Sequence, residues 1–135
     1  MSESGMRQRL VDALRPLDAF SVENRVGPGT PDINFIGGWM ECKWLRSWPK
    51  QVATPVRLDH PLTSEQKAWL RRRWSRGQPT WVMLQANRTE WLLFDGITAV
   101  KYLGEATREE LGRFAYRHWR QGLVAKELIA VLKGE

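Results

Sequence analysis

The sequence has one cysteine, Cys42, so neither an intrachain disulfide nor a four-thiolate zinc centre can form. Disulfide scaffolds and zinc fingers are excluded, and a reducing compartment is favoured. The opening segment, MSESGMRQRL, has no apolar signal core, and no stretch approaches the ~18 apolar residues of a membrane span. A soluble, cytoplasmic protein that does not engage a membrane is expected. Internal repeats and low-complexity segments are also lacking, and 135 residues hold one core with little room for a second domain. Acidic residues are in deficit, 15 against 21 lysines and arginines, for a net charge of +6. That balance points to an anionic partner, nucleic acid before membrane. Tryptophan is in surplus, with eight on so short a chain. One core is not expected to bury them all, so some should face a partner or a second subunit.

Met6, Leu10, Ala13, Leu14 and Leu17 recur at helical spacing and predict an amphipathic opening helix, with Glu3 one turn before Met6 on the same stripe. Alternation from Ala19 to Val26, with Phe20, Val22 and Val26 inward, predicts a half-buried strand ended by Gly27-Pro28-Gly29. Two more strands lie between Thr30 and Leu45, turning at Gly37-Gly38. The segment from Trp48 to Leu62 carries Pro49, Pro55 and Pro61 and reads as a working loop. Thr63 or Ser64 caps a helix that runs to about Gly77. Strands follow at Trp81–Gln85 and Trp91–Phe94, giving five in all. Thr107 and Glu110 form a capping box for a helix with the stripe Leu111, Phe114, Ala115, His118 and Trp119, and a last helix spans about Leu123 to Lys133. The organisation expected is a single domain over 1–135, with a core over about 1–95 and a helical extension over about 105–133.

Pairing outward from Gly37-Gly38 sets Ile36 opposite Trp39, Asn34 opposite Glu41 and Asp32 opposite Lys43. Asp32, Asn34, Glu41 and Lys43 then share one face, and Ile33, Phe35, Met40 and Cys42 the other. Two carboxylates and a lysine side by side on a sheet pack poorly but suit a hard divalent cation such as Mg2+, which takes oxygen ligands and keeps positions for water and phosphate. A lysine beside them orients or deprotonates a water and offsets charge on a phosphate. Phosphodiester hydrolysis is the chemistry this set suits.

Pro31-Asp32, eight intervening residues, then Glu41-Cys42-Lys43 resembles the core motif of the PD-(D/E)xK nuclease superfamily. Gly29-Thr30 ahead of it, and Leu62-Thr63-Ser64-Glu65-Gln66 opening a helix, resemble the virus-type replication-repair nucleases and the Holliday-junction resolvases over about two-thirds of the chain. The resemblance implies an α/β fold with a restriction-endonuclease-like αβββαβ core. It implies Asp32 and Glu41 as metal ligands, the Cys42 backbone carbonyl as a further ligand, Lys43 as the catalytic lysine, and Mg2+ as cofactor, with Mn2+ able to substitute. It implies a bacterial, archaeal or phage-infected host. Members often carry another acid on the first helix, for which Glu3 is the choice here and Glu23 the reserve. Gln66 points along the buried face of its helix toward the sheet, as a glutamine does in several members.

Lys67, Arg71, Arg72, Arg73 and Arg76 form a basic helix face suited to the DNA backbone, and Arg57 and His60 on the proline-rich loop are placed to reach phosphate. His118 reads as a satisfied core or interface histidine, and Trp44 and Trp48 as base-stacking or loop-supporting residues. The expected function is a metal-dependent DNA endonuclease, structure-selective for branched DNA and dimeric through its last two helices, with Trp119 and the Val124–Leu132 stripe at the contact. Competing readings are a nuclease with another DNA role and a non-catalytic nucleic-acid-binding module or partner-binding protein of the same fold.

Overall fold

The structure, a computed structural model, describes residues 3–22 and 27–135, with side chains from residue 5 onward. Among the described residues the chain runs α1 (Glu3–Ala13), a 3-10 turn (Arg15–Leu17), β1 (Phe20–Ser21), β2 (Ile33–Phe35), β3 (Gly38–Leu45), α2 (Ser64–Ser75), β4 (Thr80–Ala86), β5 (Glu90–Asp95), α3 (Gly96–Tyr102), α4 (Arg108–Phe114), β6 (Arg117–Trp119) and α5 (Ala125–Leu132). It is an α/β protein with one mixed sheet in the order β1-β2-β3-β4-β5-β6. Among the described strands only β3 and β4 pair in parallel, because α2 carries the chain from the end of one to the start of the other.

Alternation along the strands divides the core between the two faces of the sheet. One face holds Ile33, Phe35, Met40, Cys42, Met83 and Leu93, covered by Met6, Leu10 and Leu14 of α1 and its exit and by Leu128 and Val131 of α5. The other holds Leu45, Val82, Leu84, Leu92 and Phe94, covered by Leu70 of α2, Val100 of α3 and Leu111 of α4. Each leucine fully buried in this way contributes about 1.5–3 kcal/mol. The proline-rich loop has neither helix nor strand of its own, but Val56, Leu58 and Leu62 tuck under the second face and the Val56 amide bonds the Ala106 carbonyl at 2.8 Å.

Several expectations are corrected. Among the described residues the sheet has six strands, not five. The helix from Thr107 stops at Phe114, and His118 and Trp119 belong to β6. Once Ala115 turns extended, the Tyr116 amide bonds the Leu93 carbonyl and the next residues satisfy the open edge of β5. Helix α3 goes unforeseen; Asp95 caps it through the Thr98 amide at 2.8 Å. Phe20 is exposed while Val22 is buried, and Glu23 and Val26 lie outside the described residues.

The hairpin register is also corrected. Phe35 pairs with Gly38, Asn34 with Trp39 and Ile33 with Met40, so Ile36 and Gly37 make the turn. Gly37 supplies the positive φ, 109°. Gly38 is a strand residue because of its neighbour: a Cβ there would stand 2.6 Å from the Pro79 carbonyl oxygen. The slip is two residues, which changes each partner but keeps every side chain on its expected face.

Much of the stripe expected at a dimer contact packs within the chain itself, while Val124 is exposed. Trp119, Leu128 and Val131 lie in the chain's own core against α1 and the sheet. The tryptophan surplus is largely absorbed there too. Trp69, Trp81, Trp91 and Trp119 are buried, Trp39, Trp44 and Trp48 half-buried, and only Trp74 is exposed, at 38%.

Candidate active site

Strand β3 sends Trp39, Glu41, Lys43 and Leu45 to the face covered by α2, since their register partners on β4 include Val82, Leu84 and Ala86 of that same core. Above them, Trp69 packs edge-on against Trp39 at 5.5 Å between ring centres. One turn nearer the start of α2, Gln66 faces the two charged residues. Its Nε2 donates to Glu41 Oε2 at 2.8 Å and its Oε1 accepts from Lys43 Nζ at 3.2 Å, while Lys43 Nζ lies 3.4 Å from the same Glu41 oxygen. The three groups form a closed triangle.

Gln66 is held in place by the start of its own helix. Thr63 caps α2 by accepting from the Gln66 amide at 3.1 Å, and Gln66 Oε1 accepts in return from the Thr63 amide at 3.0 Å. A single side chain therefore closes a capping box and bridges the buried ion pair. Asp32 precedes β2, where its Oδ2 accepts from the Cys42 amide at 3.0 Å, which fixes its carboxylate against β3 between the positions of Glu41 and Lys43. Asp32, Glu41 and Lys43 are 4%, 2% and 5% exposed.

The loop ahead of Asp32 shapes the approach. Thr30 is buried and donates its hydroxyl to the Gly27 carbonyl at 2.6 Å. Gly29 has φ 81° and sits so close to α2 that a Cβ would collide with the Glu65 carbonyl. Between this loop and the first turn of α2 lies a cleft of about 440 Å3, lined by Gly27, Gly29, Thr30, Thr63, Glu65 and Gln66.

Glu3 opens α1, whose apolar stripe packs on the opposite face of the sheet; its side chain lies outside the described residues, as does all of Glu23. Of the basic helix face, Arg71, Arg72 and Arg76 are exposed and Lys67 half-buried. Arg73 is partly withdrawn: its guanidinium stands 4.5 Å over the Trp69 ring and donates to Gln78 Oε1 at 3.0 Å. Arg57 and His60 are exposed on the proline-rich loop. Trp48 supports that loop, donating to Glu90 Oε1 at 2.8 Å.

A second polar cluster went unread in the sequence. Glu90, at the start of β5, accepts from Trp48, from Arg108 at 3.0 Å and bonds His118 Nε2 at 2.9 Å. His118 is thus satisfied, as expected, but from a strand. Burial pushes the Glu90 carboxyl up, yet the hydrogen bonds from His118 and Trp48 and the charges of Arg108 and His118 outweigh this and hold it below its ordinary value. The available signal was a lone acid heading the apolar run Trp91-Leu92-Leu93-Phe94.

Among the described residues, no three His, Cys, Asp or Glu side chains come together as a metal-binding group. Around a cation at Asp32 and Glu41, further positions would be open to main-chain carbonyl, water or phosphate oxygen. Two carboxylates and the Cys42 carbonyl are all hard oxygen donors, a set whose chemistry fits Mg2+. Comparison with known proteins finds no matching family model, curated protein or solved structure.

Proposed function

We propose that the chain is a divalent-metal-dependent phosphodiesterase acting on DNA, with Asp32, Glu41 and Lys43 as a PD-(D/E)xK constellation. The observation that carries the reading is the burial of these three ionisable groups beside one another on one sheet face, bridged by Gln66. Taking such groups out of water costs several kcal/mol per ion before pairing repays any of it, and apolar residues would pack the same space more favourably. Buried ionisable clusters of this kind concentrate at functional sites. The order α1-β1-β2-β3-α2-β4 further supports the family resemblance, and the exposed Arg71, Arg72 and Arg76 on a chain of net charge +6 favour a polyanion.

Asp32 and Glu41, with the Cys42 carbonyl, would hold the cation, which when bound polarises the scissile phosphate and activates water. Lys43, its ammonium held between Glu41 and Gln66, orients the attacking water and offsets the charge that builds on the phosphate. Water adds its oxygen to phosphorus, the bond to one ester oxygen breaks, and the products are a phosphate monoester and an alcohol. Gln66 acts through Lys43 and Glu41 and is a positioning residue.

The specific form proposed is a nuclease selective for branched DNA. Purified protein is incubated with four-way junction, flap, linear duplex and single-stranded DNA, with Mg2+ or with chelator. Mg2+-dependent cleavage that disappears in Asp32→Asn is expected. Equal rates on junction and linear duplex would defeat the branched-DNA form, and no metal-dependent cleavage of any substrate would defeat the enzyme reading.

A further inference from the structure

Three strands from Lys43 across the sheet stands His118, roughly 14 Å away by strand spacing, and beside it a second cleft of about 620 Å3 opens between the start of the proline-rich loop, α4 and the residues just after β6. Lys50, Arg108, Arg113 and Arg120 line it, with Glu109 the one acidic side chain among its walls and His118 at its side. These cations come from three separate segments of chain, and the fold holds them together through Glu90. That carboxylate, buried at 7% exposure, ties the loop through Trp48, α4 through Arg108 and β6 through His118. Arg108 is further fixed by lying 4.8 Å over the Trp48 ring. Gly112 of α4 leaves the Nδ1 side of His118 uncrowded, since even an added Cβ would only reach ordinary contact at 3.8 Å.

The geometry points to a binding site for backbone phosphates of a polynucleotide in this cleft, distinct from the Asp32–Lys43 site and from the basic face of α2. Glu90 pairs with Arg108 at 3.0 Å and Glu109 with Arg113 at 3.6 Å, so the cleft with Lys50 and Arg120 keeps a net positive balance that suits an anion, and arginine is the residue best suited to phosphate oxygens. A volume of about 620 Å3 falls in the range of whole-ligand sites, and its cations come from three separate segments of chain, which favours several phosphates over a single small anion. The inference rests on the proposed function only in its choice of a polynucleotide over a small anion.

The test is equilibrium binding of a duplex oligonucleotide in chelator over a range of salt, for the wild type, for the double variant Arg113→Ala/Arg120→Ala, and for Asp32→Asn. Arg113 is 63% exposed in its side chain and Arg120 is exposed, so the double variant should keep the wild-type melting temperature. Each phosphate contact contributes about −0.9 to the slope of log K against log salt, so the slope is expected to become shallower by roughly 1.8 in the double variant and to stay the same in Asp32→Asn. An unchanged slope in the double variant overturns the inference. So does saturable calorimetric binding of inorganic phosphate that the double variant abolishes while the slope for DNA stays put, because the cleft would then be a small-anion site. Chelator keeps the two proposals apart: a slope that becomes shallower as expected in a protein that never cleaves DNA sustains the cleft and defeats the phosphodiesterase.

Discussion

Gln66 is the residue on which local folding and the candidate chemistry meet, so its substitutions separate the two. In Gln66→Glu the capping box survives, because glutamate serves at that position, but a carboxylate replaces the amide donor facing Glu41. In Gln66→Ala the cap loses one of its two bonds and Glu41 and Lys43 lose their bridge. Hydrogen bonds to charged groups contribute about 1.5–3 kcal/mol each, so Gln66→Ala, which loses two of them, is expected to lower unfolding free energy by roughly 3 kcal/mol or more in urea titration. Both variants are expected to lose cleavage activity. Activity retained in Gln66→Glu would show that the amide does not position Lys43. At this scale the site was legible because side chains alternate strictly along a strand: Asp32, Glu41 and Lys43 keep one face whether the hairpin turns at Gly37-Gly38 or, as found, at Ile36-Gly37. The turn itself was misread because two adjacent glycines look equivalent in sequence. The contact of Gly38 with Pro79, 41 residues on, tells them apart.

Among elements, the loop before Asp32 and the start of α2 are fitted so closely that only glycine serves between them. Gly29→Ala puts a Cβ at positive φ and into the Glu65 carbonyl, so loop and helix must separate. The left-handed conformation alone costs about 1–2 kcal/mol, and the separation adds to it. The expected result is a lowered melting temperature with a larger fractional loss of activity than Gly37→Ala, where φ is also positive but nothing lies within 4 Å of the added Cβ. Equal losses in the two would place no functional weight on the loop's contact with α2.

Glu90 joins three other segments, and its depressed pKa makes that junction sensitive to acid. A carboxyl held below its ordinary 4.5 in the folded state contributes stability that is present above that value and is lost as pH falls through the folded value. The urea midpoint of the wild type should therefore drop more steeply below pH 4.5 than that of Glu90→Gln, and the two profiles should run parallel above it. Parallel profiles throughout would show that Glu90 carries no such linkage. Elements at this end of the chain were the hardest to read. Phe114, Ala115, His118 and Trp119 fit a helical stripe, yet the unpaired edge of β5 claims the last two for a strand. Helix α3 begins at a glycine and carries Ile97, Thr98 and Val100, β-branched residues that argue against helix until Asp95 is seen to cap it.

For the whole molecule, the net charge of +6 and the buried acids are two sides of one arrangement: cations spread over α2 and the α4 cleft, and carboxylates gathered under the first turn of α2. A cation that binds the folded site and not the unfolded chain stabilises by about 2.7 kcal/mol at one hundred times its Kd. Mg2+ should therefore raise the melting temperature of the wild type and leave that of Asp32→Asn unmoved; equal shifts in both would assign the effect to non-specific screening.

The most direct measurement is the single-turnover cleavage rate of DNA in Mg2+ for the wild type and Lys43→Met, with the affinity of each for the same DNA measured in chelator. If Lys43 acts on the attacking water and the phosphate, the rate falls by about 100-fold or more at unchanged affinity. A wild type that binds DNA but never cleaves it in Mg2+, or a Lys43→Met variant that cleaves as fast as the wild type, would contradict the assignment of Asp32, Glu41 and Lys43 as a phosphodiesterase centre.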